Sequence, residues 1–332
     1  MASHWIRRGA AAVLLCTVAL SVGAQPQEPG FKNLKVLPKD ISDAELRATM
    51  SSFTRALGVR CTYCHVGEDH VKPEDFQKDD KPTKRVAREM LRMVKDINEN
   101  YIAYLENQDK TQPASVKCFT CHHGVAKPRT LQDVLTASYE QGGIDSTLSR
   151  YQALRNRYYG RAAYDFGEVP LSDVSHHLAQ QGHADDATRL LEYNVEMNPN
   201  SNFAKRNLAT VTIAKGFMTS PEAGAAAYAD AKTKFGEQVV NAELLGEVGF
   251  QLVGAQNNAA AIAALKLNVA ENPKSTEALE GLGEAYVASG DWKMATETYK
   301  KVLALDPANE RAKKALDEIK VKSKQKPAKK KG

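Results

Sequence analysis

Apolar residues recur at helical spacing at many places along this chain, and every element they predict is a helix. Leu46, Met50, Phe53 and Leu57 form one such stripe. Ser42 and Glu45 stand before it as a capping box, in which each side chain bonds the other residue's backbone, and Gly58 is placed to end the helix. A second stripe runs through Val86, Met90, Met93, Val94, Ile97, Tyr101 and Tyr104. Pro82 sits in its first turn, and the helix should end near Glu106. Lys84, Arg85, Arg88, Arg92 and Lys95 fall on its other faces, where a solvated position is the default expectation.

The C-terminal half repeats itself. Pro273 pairs with Pro307, Ala261 with Ala295 and Leu245 with Leu279, an interval of 34 residues. This is the tetratricopeptide period, in which small residues let paired helices approach closely and a proline closes each pair. Residues 242–275 and 276–309 make two regular units, and 171–199 a divergent one. The Ala-rich segment 200–238 is off period, because Pro199 and Pro273 are 74 residues apart rather than 68, and it predicts a fourth, irregular pair. A helix over 146–159 should bridge the two halves. Beyond Ile319 the sequence loses its apolar period and should be disordered.

An apolar run from Ala10 to Val22 follows Arg7 and Arg8 and ends in Val22-Gly23-Ala24, the pattern of a secretory signal with small residues at the cleavage site. An uncleaved membrane anchor is the alternative. The expected divisions are therefore a signal at 1–24, an N-terminal domain at 25–140, a linking helix at 141–167, helical repeats at 168–319 and a Lys-rich tail at 320–332. The net charge of +5 belongs to the ends, since seven lysines lie between Lys320 and Lys331. It therefore gives no basis for a nucleic-acid-binding face.

The candidate chemistry lies in two pentapeptides, Cys61-Thr62-Tyr63-Cys64-His65 and Cys118-Phe119-Thr120-Cys121-His122. C-x-x-C-H is the pattern of c-type haem attachment: two cysteine sulfurs become thioethers to the porphyrin, and the following histidine is delivered to the iron. Cysteine pairs that share a zinc ion lie about 15–20 residues apart, whereas 53 residues separate Cys64 from Cys118, and each pair has its own histidine. A dithiol redox site would need a βαβ setting. Apart from Cys16 in the signal, these are the only cysteines in the chain, so no disulfide framework is expected. Two covalent haem c groups are predicted, held by Cys61, Cys64, Cys118 and Cys121, with His65 and His122 as proximal ligands. Such a domain would depend on haem for its core.

Met50 lies on a helix that stops at a glycine and returns through Cys61, so it can serve as a sixth ligand or as an ordinary core methionine. Met90 and Met93 are one turn apart and cannot both bind one iron undistorted. His70 and His123 are further candidates for the distal position. His176, His177 and His183 read as surface or packing residues.

The stretch 33–135, with LGVRCTYCH, REMLRMVKDINENY and CFTCHHGVAKPRTL, resembles the cytochrome c subunit of photosynthetic reaction centres. It corresponds to one two-haem half of that tetrahaem subunit. The resemblance implies paired helix-loop-CxxCH units whose helices supply distal methionines. Met50, eleven positions before Cys61, matches the family ligand, and Met90 matches the first methionine of the M-x-x-M pair, with Met93 as the fallback. The segment 101–117 is longer than in the family's shorter version.

The fold class expected is all-α, a dihaem cytochrome domain followed by a tetratricopeptide-type solenoid. The function expected is electron transfer without catalysis. The protein would be exported to the periplasm, with membrane association as the alternative. It would serve periplasmic redox proteins or a membrane electron-transfer or reaction-centre complex, with a protein partner in the repeat groove. A dihaem peroxidase or reductase with an open iron position, or a haem-based sensor, is the competing class.

Overall fold

A computed structural model describes residues 31–68, 70–105 and 114–324. The signal at 1–24 with its Cys16, the helix end at Glu106 and the last residues of the tail lie outside these. The described residues are helical, with no strand among them, and no described helix is long and apolar enough to cross a membrane. The chain divides into two units, Met1–Ala126 and Lys127–Gly332.

In the first unit, helix α1 (Asp43–Leu57) begins at the predicted capping box. Ser42 Oγ accepts from the Glu45 N–H, and Glu45 Oε2 accepts from the Ser42 N–H at 3.1 Å. It ends at Gly58 in the left-handed conformation, with φ +65°. Helix α2 (Pro82–Asp96) runs on into a π-helical turn over Ile97–Ile102. That wider turn frees Asn98, whose side chain donates to the carbonyls of Val94 and Val116 and accepts from the Val116 N–H at 2.8 Å. The short helix α3 (Cys118–His122) follows.

The second unit opens with α4 (Leu131–Tyr158), in which non-helical backbone at Gly142 and Gly143 separates two helical segments, the second of them over the residues of the helix predicted at 146–159. Its first turns supply Leu131, Val134 and Leu135 to a core shared with Leu171, Val174, Leu178 and Leu190. That packing explains why the observed division falls at Ala126 rather than at the expected residue 140. Four antiparallel pairs follow: α5 (Glu168–Gln180) with α6 (Ala184–Met197), α7 (Asn202–Thr219) with α8 (Pro221–Phe235), α9 (Ala242–Gly254) with α10 (Asn258–Glu271), and α11 (Thr276–Ser289) with α12 (Trp292–Leu305). Helix α13 (Glu310–Lys324) closes the array. The expected disorder after Ile319 is thus corrected, because Ile319 is buried in the last core and the helix continues to Lys324.

The first residues of α5, α7, α9, α11 and α13 are separated by 34, 40, 34 and 34 positions. The off-period pair is real, and its six extra residues are visible. Helix α7 has 18 residues where α11 has 14, and the connection at 236–241 buries Val239 and Val240. Ser201, Asn241, Ser275 and Asn309 cap the pair-opening helices at the same offset, each side-chain oxygen accepting the N–H three residues on. A buried Ser172 hydroxyl joins three helices, accepting from Asn194 and Asn207 at 3.0 Å each.

Partner helices approach closely at small residues. A Cβ at Gly249 would meet the Leu265 side chain at 2.4 Å, and one at Gly283, 34 positions on, would meet the Tyr299 ring at 2.8 Å. Gly249→Val should therefore destabilise this unit by roughly 1–3 kcal/mol, the cost of overpacking a filled contact. Urea unfolding followed by circular dichroism checks this, with an unchanged midpoint contradicting it.

Candidate haem site

Both pentapeptides fold as one helical turn. Cys61–Tyr63 is a 3-10 turn with the His65 N–H bonded to the Cys61 carbonyl at 3.0 Å, and Cys118–His122 is helical, with Thr120 Oγ1 accepting from the Lys117 N–H. On such a turn, cysteines at i and i+3 and a histidine at i+4 share one side. All four cysteines are free thiols. Burial is the main cause raising the Cys64 and Cys118 thiols above their ordinary pKa, so both are protonated at neutral pH.

The two turns are brought together by backbone. The Gly124 N–H, two residues past His122, donates to the Ala56 carbonyl at 2.8 Å. A Cβ at Gly58, three residues before Cys61, would lie 2.1 Å from the Gly124 oxygen. The end of α1 therefore sits directly on the turn that follows the second pentapeptide.

His122 Nδ1 lies 2.9 Å from the Val125 carbonyl, a contact in which the ring N–H donates, so that Nε2 is the nitrogen left to face a metal. His65 Nδ1 is buried without a hydrogen-bond partner. Burial, followed by the Lys84 charge, pushes the His65 pKa down and so favours its neutral ring. Its ring packs edge-on against Phe76 at 5.1 Å. The first turn is anchored from α2, where the Lys81 ammonium donates to the Thr62 carbonyl and the Thr83 hydroxyl to that of Tyr63.

The residues fit haem. Ala56 is the one buried apolar residue among the described residues of this unit. The apolar face of α2 is open: Val86, Met90 and Met93 are 54%, 42% and 46% exposed, and Phe119 is exposed beside the second turn. A unit with two thiol-bearing turns, metal-ready imidazoles and unpacked apolar faces suits a large flat apolar group. No cluster of three or more His, Cys, Asp or Glu side chains forms among the described residues.

Of the expected distal ligands, Met50 is half-buried on α1, and Met90 and Met93 are on α2. His70 is exposed. His123 adopts a left-handed backbone (φ +47°) and packs edge-on against Phe119. His176, His177 and His183 lie in the other unit beside Gln180, Gln181 and Tyr139.

Sequence reasoning missed the clamp of Asp79. This carboxylate takes Lys35 at 2.7 Å, Arg88 at 2.8 Å, Lys84 at 3.3 Å and Asn33 at 3.0 Å. Lys84 and Arg88, expected to be solvated, are instead largely covered. Only the spacing of Asp79 ahead of two basic residues on one helix face hinted at it.

The fold and site define a c-type cytochrome unit joined to a helical repeat array. Over residues 10–200, more than half its length, the chain matches the photosynthetic reaction centre cytochrome C subunit family, and it belongs to that family. Residues 252–319 match a tetratricopeptide repeat. Cytochrome c-554 of Chloroflexus aurantiacus is 38% identical over 98 residues, 29% of this chain and 21% of that protein. The photosynthetic reaction center cytochrome c subunit of Roseobacter denitrificans is 33% identical over 100 residues, 30% of this chain and 25% of that one. The chain thus spans about a quarter or less of these relatives' length. A thermophilic TPR protein of Thermus thermophilus aligns with 57% of this chain and 97% of its own, at 18% identity and a TM-score of 0.28.

Gly58→Ala should disrupt the first unit. The left-handed backbone alone costs about 1–2 kcal/mol for a residue with a Cβ, and the clash with Gly124 adds to it. Thermal unfolding of the haem-loaded chain, read in the visible absorbance, should begin at a lower temperature. Asp79→Asn is expected to cost on the order of 1 kcal/mol, the scale of a partly exposed ion-pair network. Its neighbours, Arg88 first, hold the Asp79 pKa far below the usual carboxylate range. The stability it contributes is therefore complete above the unfolded-state pKa near 4 and is lost as pH falls through the folded one. Melts of both proteins should differ at pH 7 and converge in strong acid; a constant gap would contradict this.

Proposed function

We propose that this chain is an exported two-haem c-type cytochrome that relays single electrons between redox proteins outside the cytoplasm, while its repeat unit docks a protein partner. The observation that carries the reading is the backbone contact of Ala56 and Gly58 with Gly124, which sets two thiol-histidine turns against each other. When bound, haem c supplies a reversible one-electron couple.

The chain's own residues hold and shield it. Cys61 with Cys64, and Cys118 with Cys121, would hold each ring covalently, and His65 and His122 would each offer an imidazole nitrogen to the iron. Met50 and Met90 would supply the second protein ligand to each iron, with Met93 in reserve. The exposed apolar side of α2 would give the rings a surface to lie against. With two protein ligands to each iron, a substrate would have no position to occupy, as in a relay rather than in a peroxidase or sensor. Family membership supports a membrane reaction-centre complex as one partner, and the repeats support docking through protein segments.

Spectroscopy of the chain produced with haem attachment tests this. Two haems per chain, both low-spin with a sulfur-to-iron band in the far red, are expected. Met50→Ala and Met90→Ala should each remove about half of that band, as the loss of one of two ligands requires. Ready binding of carbon monoxide by the unaltered protein would instead indicate an open iron and an enzyme or sensor.

A further inference from the structure

The second half of α4 and the turn after it carry charge that the fold leaves unpaired. Between Ser146 and Tyr164 the chain has four arginines, Arg150, Arg155, Arg157 and Arg161, and no acidic residue. Among the described residues none of the four makes an ion pair, although Arg206 and Arg311 of the same unit do. The acidic residues that flank the stretch are engaged elsewhere: Asp145 pairs with Arg189 at 2.8 Å, and Asp165 Oδ1 accepts the Gly167 N–H at 2.8 Å. Arg155 and Arg157 lie in the last turn of α4, where a cation meets the negative end of the helix, but Arg150 and Arg161 lie outside that turn.

Aromatic rings hold these cations in place. The Arg155 guanidinium lies 4.3 Å from the centre of the Tyr159 ring, and that of Arg157 5.1 Å from the centre of Tyr158. Tyr158 meets Tyr164 edge-on at 5.4 Å, and both pack against the core that contains Tyr151 and Phe166. Arg150 and Arg157, two helical turns apart, share one face of α4. Burial, then Tyr158, raises the Tyr164 pKa, and Arg150, Arg129 and Arg157 pull against that rise, so these cations border one ring. Arg150, Arg157 and Arg161 are exposed, and so is Tyr159, at 62%.

We propose that this surface docks a carboxylate-rich face of a partner protein. It rests on the docking reading above and gives that partner a chemistry, on a helix that precedes the repeat pairs. A planar guanidinium takes a carboxylate through two parallel N–H bonds. One already seated on a ring loses less freedom when the partner arrives. Arginine and tyrosine are also the side chains that most often dominate binding at protein interfaces. An anionic membrane, by contrast, rewards the number of basic charges near it and not their seating on rings.

Fluorescence anisotropy of labelled decaglutamate with the full haem-loaded chain tests this. The peptide should bind, more weakly as salt rises, and Arg150→Gln combined with Arg157→Gln should weaken it about tenfold, the scale of losing charge-assisted contacts. If that variant loses its helical circular dichroism, Arg150→Gln alone should give a smaller loss of the same sign. Lys329→Gln, Lys330→Gln and Lys331→Gln together should leave most of the binding in place. A loss confined to these tail lysines, or binding that neither arginine variant changes, would overturn the surface and leave docking through the repeats standing. Vesicles of phosphatidylserine and phosphatidylcholine separate the other source: if the arginine variants weaken vesicle binding and not decaglutamate binding, the surface faces a membrane and the proposal fails.

Discussion

The N-terminal unit hangs on a contact between two stretches of backbone. The Gly124 N–H meets the Ala56 carbonyl, and Gly58 presses on the Gly124 oxygen with no room for a side chain. Everything local to the site follows from it: α1 ends there in a left-handed turn, the first pentapeptide starts three residues later, and the second has just finished. Among its described residues the unit buries one apolar side chain, Ala56, so this contact, the Asp79 clamp and the Asn98 bridge carry much of their cohesion. On the proposed reading, a prosthetic group would supply the apolar burial that ordinary domains obtain from their own side chains.

Much of this was legible in the sequence because it obeys short-range rules. C-x-x-C-H is contiguous, the capping box of α1 needs only Ser42 and Glu45, and the 34-residue period repeats small residues and caps at fixed intervals. The off-period segment could be located because one prolyl interval was too long. What stayed hidden was long-range or depended on shape. Asp79 reaches back to Asn33 and Lys35, a pairing with no periodicity to betray it. The role of Gly124 depends on its nearness to Gly58, 66 positions earlier. The helical segment that starts at Leu131 went unmarked, since the predicted helix over 146–159 begins only after the non-helical Gly142 and Gly143. The helical continuation past Ile319 was hidden by the lysines that follow it.

The second unit obeys different physics. Its helices bury Leu, Val and Ala against neighbours in sequence, and each pair depends only on the pairs beside it. The two units thus divide the work. One holds chemistry at a place where backbone geometry is tightly constrained, and the other repeats a tolerant packing rule that carries no chemistry.

That tolerance has a limit at the second pair. Helix α7 is four residues longer than α11, and at 1.5 Å per residue it projects about 6 Å, a little more than one turn, beyond a regular repeat helix. The array is therefore stepped rather than a smooth screw. An extended segment lying along it would meet one spacing over α9 to α13 and another between α7 and α9. A recognition code read one repeat at a time cannot be carried across that step.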